Sequence, residues 1–161
     1  MKKLFVLSTL SFALLLEPQF VQAQQLTVQT SSAKSVVLTR ADIEALPHVT
    51  VATGNPPDQS SFVGVSLSAV LEKAGVSLGE SLRGKRLASY LLVGAADQYR
   101  VVFALPELDP AFSDKQFILA FQRNGKPLDE KEGPYRIVIP DEKRMARWVR
   151  QVTILKIADV Q

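Results

Sequence analysis

The chain has 161 residues, of which 47% are hydrophobic, and a formal net charge of +3, a mild excess of basic residues. It contains no cysteine and a single histidine, His48. These counts exclude disulfides, thiolate metal sites, iron–sulfur clusters, cysteine nucleophiles and zinc sites built from two or three histidines of one chain. No stripe of lysine and arginine interleaved with aromatic residues indicates a nucleic-acid partner.

The first residues have the pattern of a cleavable export signal. Lys2 and Lys3 precede an apolar run over residues 4–16, and Val-Gln-Ala at residues 21–23 is a small-x-small cleavage pattern. We therefore predict a signal peptide over residues 1–23, cleavage after Ala23 and export to the periplasm. The apolar run of about 13 residues is too short to cross a bilayer, which takes about 20, so no transmembrane segment is predicted.

The remaining sequence is predicted to form one domain. Residues 24–34 are rich in Gln, Ser and Thr and are interpreted as a polar lead-in, with a short strand at residues 26–28. Residues 35–161 have the length of one ordinary domain, with no internal repeat and no interdomain linker.

Strands alternate with two short helices along this domain. Thr39 and Asp42 have the spacing of a capping box and start a helix predicted over residues 41–46. A second helix is predicted after Ser66 as its N-cap, and Gly75 ends it. The predicted strands cover residues 35–38, 49–52, 87–93, 99–105, 117–122, 135–139 and 148–157. This pattern predicts an α+β fold with a mixed or antiparallel sheet rather than a doubly wound one.

A basic run follows the strand predicted at residues 135–139. Its four cations are Lys143, Arg144, Arg147 and Arg150. Beside a strand end they suit a phosphate or pyrophosphate, because arginine offers a bidentate fork and lysine a point charge. The alternative is a solvated basic turn that Asp141 and Glu142 balance. Trp148, inside the run, is expected in the core or in a pocket wall.

The loop after the strand at residues 49–52 is a second candidate for ligand binding. Thr53 and Asn55 flank Gly54, which would let backbone N–H groups approach an anion closely. The alternative is an ordinary Asn-Pro-Pro turn. Arg100 and Arg136 lie in predicted strands, and either could face a pocket.

Five short motifs, taken in order, resemble one family. They are Val-Thr-Val-Ala-Thr-Gly-Asn at residues 49–55, Phe-Val-Gly-Val-Ser-Leu at 62–67, Asp-Gln-Tyr at 97–99, Asn-Gly-Lys-Pro-Leu at 124–128 and Gly-Pro-Tyr-Arg-Ile-Val-Ile-Pro at 133–140. Together they resemble the molybdopterin-binding domain of the sulfite oxidase type. The resemblance spans about residues 35–157. It implies the β-rich fold of that family and makes molybdopterin the candidate cofactor.

The resemblance also implies roles for particular residues. The family's enzymes hold molybdenum through a cysteine in a Cys-Ala-Gly-Asn-like loop, and the matching position here is Ala52. A methyl group cannot coordinate a metal, so no metal ligand and no catalytic residue is assigned. The family's closing segment contacts the pterin phosphate, and Arg147 matches it best. The residues assigned to the phosphate and pterin side are Thr53, Asn55, Lys143, Arg144 and Arg147.

Three functions agree with these observations. The absent thiolate favours an exported domain that binds an anionic small molecule or cofactor without cysteine-ligated molybdenum. The match over most of the sequence favours an oxidoreductase, or a subunit of one, that holds molybdenum through the pterin dithiolene alone. The third is a periplasmic signalling partner of a membrane receptor. Whether the protein is an enzyme is left open by the sequence.

Overall fold

The computed structural model describes residues 25–54 and 57–160. The predicted signal peptide and Asn55 lie outside the described residues. In chain order the elements are β1 (Gln25–Gln29), β2 (Ser35–Thr39), α1 (Arg40–Glu44), β3 (His48–Thr53), β4 (Ser60–Ser66), α2 (Leu67–Lys73), β5 (Tyr90–Ala95), β6 (Arg100–Ala104), β7 (Ile118–Arg123), β8 (Lys126–Pro127), β9 (Arg136–Val138) and β10 (Val152–Ala158). No helix among the described residues has the length and apolar character needed to cross a membrane.

The first sheet has five strands in the order β2-β1-β10-β5-β6. Strands β1 and β10 run parallel, and the other neighbours in this sheet are antiparallel. Leu26 and Val28 of β1 are fully buried. The short strand expected within the polar lead-in is therefore present, and it lies inside the sheet between β2 and β10.

The second sheet is antiparallel and has the order β3-β4-β7, with β8 and β9 on the far edge of β7. A bulge interrupts the pairing of β4 with β7 between Val63 and Gly64. A Cβ atom on Gly64 would collide with the Leu119 carbonyl oxygen and lie 2.6 Å from the Ala120 Cα. Glycine is required here because the two backbones approach too closely for any side chain.

Both predicted helices are present, although α1 covers Arg40–Glu44 rather than residues 41–46. Thr39 Oγ1 accepts a hydrogen bond from the Asp42 N–H at 3.2 Å, and the Asp42 carboxylate accepts one from the Thr39 N–H at 3.0 Å, which completes the capping box. Helix α2 follows Ser66 and buries Leu67, Val70 and Leu71. Gly75 ends it with a φ of +87°, a conformation that glycine adopts without strain.

Two strands begin later than the sequence predicts. Strand β5 begins at Tyr90 because the preceding residues, Gly84–Ala88, form a 3₁₀ turn. Strand β10 begins at Val152 rather than at residue 148, since Gln151 has a φ of +50° and interrupts the extended backbone. Trp148 therefore lies in the connection between β9 and β10.

Candidate functional site

The residues that the sequence proposes as ligand-binding differ in burial and in their partners. Thr53 ends β3, is buried, and donates from Oγ1 to the Ser60 carbonyl oxygen at 3.4 Å. Lys143 and Arg144 are exposed in the connection between β9 and β10, just before a single 3₁₀ turn at Met145–Arg147.

Arg147 is held by two carboxylates of the chain itself. Its Nε donates to Glu142 Oε2 at 2.9 Å, its Nη2 donates to Oε1 of the same carboxylate, and its Nη1 donates to Glu107 Oε1 at 3.3 Å. The guanidinium carbon lies 4.9 Å from the centre of the Phe103 ring. The hydrogen bonding between Arg147 and Glu142 lowers the pKa of the Glu142 carboxyl and raises the pKa of the Arg147 guanidinium. An anion at Arg147 would have to displace both carboxylates.

A second group of charged side chains forms where β7 meets β9. Arg123 Nη1 lies 3.2 Å from Glu132 Oε1, and Arg136 Nη1 donates to the same oxygen. Arg123 also donates to Ser60 Oγ, from Nε at 3.3 Å and from Nη2 at 3.1 Å. We call Ser60, Arg123, Glu132 and Arg136 the arginine cluster. Thr53 adjoins it, because Thr53 pairs with Ser60 across β3 and β4.

Two aromatic rings form an apolar wall of the arginine cluster. The rings of Phe62 and Trp148 meet edge to face, with centroids 6.1 Å apart. The guanidinium carbon of Arg136 lies 5.6 Å from the Phe62 centroid and 5.5 Å from that of Trp148. Arg123 lies 5.5 Å from the Phe62 centroid. These distances allow cation–π attraction, which strengthens where water is excluded.

Two buried donors at this wall have no hydrogen-bond partner among the described residues. They are Arg136 Nε and Trp148 Nε1. The two residues are 9% and 5% exposed, so water does not solvate these N–H groups. A buried donor left without an acceptor costs about 1–3 kcal/mol. An acceptor brought to these groups by a ligand would recover that free energy.

Positive charge exceeds negative charge around Arg136. Burial lowers the pKa of Arg136, Glu132 raises it in part, and the charges of Arg123 and Arg150 lower it further. Two guanidinium groups, those of Arg123 and Arg136, thus share the Glu132 carboxylate. Arg150 and Trp148 also line a cleft of about 220 Å³. The other lining residues of this cleft are Asp97, Tyr99, Met145 and Ala146.

Sequence reasoning found this site only in part. It named Arg136 as a strand residue that could face a pocket, and Arg136 is buried while Arg100 is exposed. It did not single out Arg123, which precedes the Asn-Gly turn, or Glu132, which ends a charged run, because a solvated charge is usual at such positions. The signal that was available is a lone arginine inside the apolar strand at residues 135–139.

A larger cleft, of about 300 Å³, lies at the start of α2. Ser66, Ser68, Lys115 and Phe117 are among its lining residues. Within the described part of the chain, none of its lining residues has a buried side-chain donor or acceptor without a partner. It therefore lacks the unsatisfied polar groups that distinguish the arginine cluster.

Comparison with known proteins places the chain in a family. Residues 57–160 match the model of the oxidoreductase molybdopterin binding domain, and the chain belongs to this family. Among solved structures it is similar to the sulfane dehydrogenase SoxCD from Paracoccus pantotrophus, with a TM-score of 0.64 and 23% identity over 85% of this chain and 38% of that one. No curated protein sequence matches it significantly. The predicted family and its β-rich fold are confirmed.

The side chains that could act as metal ligands do not fit a molybdenum atom bound directly by the protein. The chain contains no cysteine, and the described residues include no group of three or more His, Cys, Asp or Glu side chains that could hold a metal. Ala52 is an exposed residue of β3, paired with Ser61. The family match begins after it, so its equivalence to the family's cysteine stays a prediction. The arginine cluster does fit the anionic end of a ligand.

Proposed function

We propose that the protein is an exported, periplasmic domain that binds an anionic small molecule with phosphate or pyrophosphate chemistry. The binding site is the arginine cluster with Trp148, and the domain holds no cysteine-ligated molybdenum. A pterin cofactor that carries a phosphate is one ligand of this class. The observation that supports the proposal most is the pair of buried, unpaired donors, Arg136 Nε and Trp148 Nε1, beside an excess of positive charge.

Oxyanions match these donors in both charge and geometry. A phosphate group offers several strong acceptor oxygens, and arginine presents its N–H groups as a planar fork that suits them. Hydrogen bonds to charged groups contribute about 1.5–3 kcal/mol each, more than those between neutral groups. A ligand oxygen that accepts from Arg136 Nε and Trp148 Nε1 would therefore gain affinity from groups that are otherwise unsatisfied.

The basic run contributes less directly to the proposed site. Lys143 and Arg144 are exposed and add to the positive potential that attracts an anion. Arg147 fixes the connection between β9 and β10 through Glu142 and Glu107.

The metal and pterin content of the exported protein tests the redox part of this proposal. The protein would be recovered from the periplasm of a host that makes molybdopterin, and N-terminal sequencing is expected to begin at Gln24. We expect elemental analysis to find no stoichiometric molybdenum or tungsten. One metal and one pterin per chain would instead favour an oxidoreductase that holds the metal through the dithiolene alone.

Calorimetric titration tests anion binding itself. We expect inorganic pyrophosphate to bind the parent protein at one site, whereas chloride at matched ionic strength gives no saturable heat. Pyrophosphate binding that is absent, or that is equalled by chloride, would contradict the proposed function.

A further inference from the structure

We propose that Glu132 is an internal counter-ion of the arginine cluster, and that a ligand must displace its carboxylate from Arg123 and Arg136. In this role Glu132 selects divalent oxyanions over monovalent ones. The inference rests on the proposed function, since it concerns how the same site chooses its ligand.

A single oxygen of Glu132 joins the two arginines. Glu132 Oε1 accepts hydrogen bonds from Nη1 of Arg123 and from Nη1 of Arg136. The side chain of Glu132 is 15% exposed and that of Arg136 is 11% exposed, whereas Arg123 is 44% exposed. The carboxylate therefore occupies Nη1 of both arginines, where it competes with an external oxyanion for the same guanidinium groups.

The unpaired donors cannot be reached while the site keeps this arrangement. Arg136 Nε and Trp148 Nε1 have almost no solvent-accessible surface. A ligand can contact them only after neighbouring groups move, and Glu132 holds the Arg136 side chain in place through Nη1. Displacing the carboxylate releases Nη1 of Arg136 and removes the counter-charge that holds the side chain there.

The backbone of Glu132 is fixed, so its side chain is the part that moves. Its N–H donates to Asp129 Oδ1 at 3.0 Å, and its carbonyl oxygen accepts from the Gln151 N–H at 2.9 Å. These bonds tie the residue to the preceding turn and to the residue before β10. Displacement therefore needs a rotamer change of a glutamate, which is fast, rather than the opening of a loop.

Charge balance gives the selectivity. Glu132 supplies one negative charge against the two guanidinium groups it contacts and is tethered to the site. A monovalent anion that replaces it adds no charge and competes with a carboxylate at high effective concentration. A divalent anion supplies two negative charges and so balances both guanidinium groups. Divalent oxyanions such as pyrophosphate or sulfate are thus favoured over acetate or chloride.

Neutralising Glu132 tests this role directly. Glu132→Gln keeps the side-chain volume and removes the charge, and Glu130→Gln is the matched control at an exposed position two residues away. We expect Glu132→Gln to bind pyrophosphate roughly tenfold more tightly, because one competing charge at contact distance is removed. We also expect it to bind acetate measurably, whereas the parent and Glu130→Gln do not. Calorimetry at fixed ionic strength measures the affinities of the parent, Glu132→Gln and Glu130→Gln for both anions.

The outcomes separate the two proposals. If the parent binds pyrophosphate but Glu132→Gln binds it equally or more weakly, the inference about Glu132 is wrong and the proposed function stands. If the parent binds no pyrophosphate, the proposed function is wrong and the inference with it.

A measurement on the unmodified protein covers the case in which Glu132→Gln does not fold. The carboxyl carbon resonance of Glu132 is followed by nuclear magnetic resonance during a pyrophosphate titration. We expect it to move at saturation toward the value of an exposed carboxylate such as that of Glu130. A Glu132 resonance that stays unchanged at saturation would overturn the inference.

Discussion

The arginine cluster and the basic run at residues 143–150 both concentrate positive charge, yet their charges are satisfied to different degrees. In the basic run, Arg147 holds two carboxylates, one of them from Glu107, 40 residues away in the chain. In the arginine cluster, Arg123 and Arg136 share a single carboxylate, and Arg136 Nε has no partner among the described residues. Cations that lie close in sequence are therefore not the ones available to a ligand.

The difference also separates two physical roles. Arg147 has no unsatisfied donor nitrogen when the ligand is absent, because each of its nitrogens already donates to a carboxylate. Arg136 carries the cost of burial without full hydrogen bonding, a cost that natural proteins tolerate mainly at functional sites. The account therefore predicts that the two arginines respond differently to the same substitution.

The largest expected effect is the loss of anion binding when Arg136 is replaced. Arg136→Gln removes the charge and the fork of donors, and we expect pyrophosphate to bind about 10–100-fold more weakly, the cost of one or two charge-assisted hydrogen bonds. Calorimetry measures the affinity, and urea denaturation confirms that the variant is folded.

Arg147→Gln is the matched control for that comparison. It removes the same charge from the basic run and is expected to change the affinity by less than about threefold, since only long-range attraction is lost. If Arg147→Gln lowers pyrophosphate affinity as much as Arg136→Gln does, the anion binds at the basic run and not at the arginine cluster.

The next largest effect concerns Tyr135, the buried neighbour of Arg136. Burial raises the pKa of Tyr135 from 10.0 to about 12. The folded state therefore holds the phenolic proton more tightly than the unfolded state, so stability is unaffected below pH 10 and falls as the pH rises toward 12. At about pH 11 the loss is about 1.4 kcal/mol.

Urea denaturation between neutral and alkaline pH measures this effect. Tyr135→Phe has no phenolic proton and should lose less stability over the same range. Equal alkaline slopes in the parent and the variant would mean that this part of the second sheet is less buried than the account requires.

A smaller effect is expected on stability when Arg147 is replaced. Arg147→Gln removes the contacts with Glu142, Glu107 and Phe103, and we expect the free energy of unfolding to fall by about 1 kcal/mol. The pKa of Glu142 is lowered below 4.5 in the folded protein, so its contribution is present above that pH and is lost as the pH falls. Urea denaturation should show the parent and variant converging in acid, and a difference that persists there would contradict the role of Glu142.

The smallest effect is expected at Trp148. Trp148→Phe keeps a ring beside Phe62 and Arg136 but removes the unpaired indole N–H. Because that donor has no partner among the described residues, stability should change little, whereas pyrophosphate affinity should fall about three- to tenfold. Calorimetry and thermal unfolding measure the two quantities. A large loss of stability with unchanged affinity would assign the indole to packing alone.

The fold was more predictable than the site because its determinants are local. The capping box at Thr39, the stop at Gly75 and the hairpin at Asn124 each act over a few residues, and their order identifies the family. The boundaries of β5 and β10 were missed because they depend on a 3₁₀ turn and on the positive φ of Gln151, which have no strong sequence signal.

The arginine cluster depends on contacts between distant parts of the chain. Strand pairing aligns Ala120 with Arg136, which brings β9 beside the strand that ends at Arg123. Ser60 joins them from 63 residues earlier in the sequence. Of the partners of Arg147, Glu142 was expected from the sequence to balance the basic run, whereas Glu107, 40 residues away, was not. Charge balance in three dimensions could not be obtained from the spacing of cations along the chain.

The most direct test of the account follows the arginine and indole N–H resonances of the parent protein during a pyrophosphate titration. We predict saturable shifts for Arg136 Nε–H and Trp148 Nε1–H, with the Nε–H resonance of Arg147 nearly unchanged. Saturable shifts at Arg147 with none at Arg136 and Trp148 would contradict the account and place the anion at the basic run.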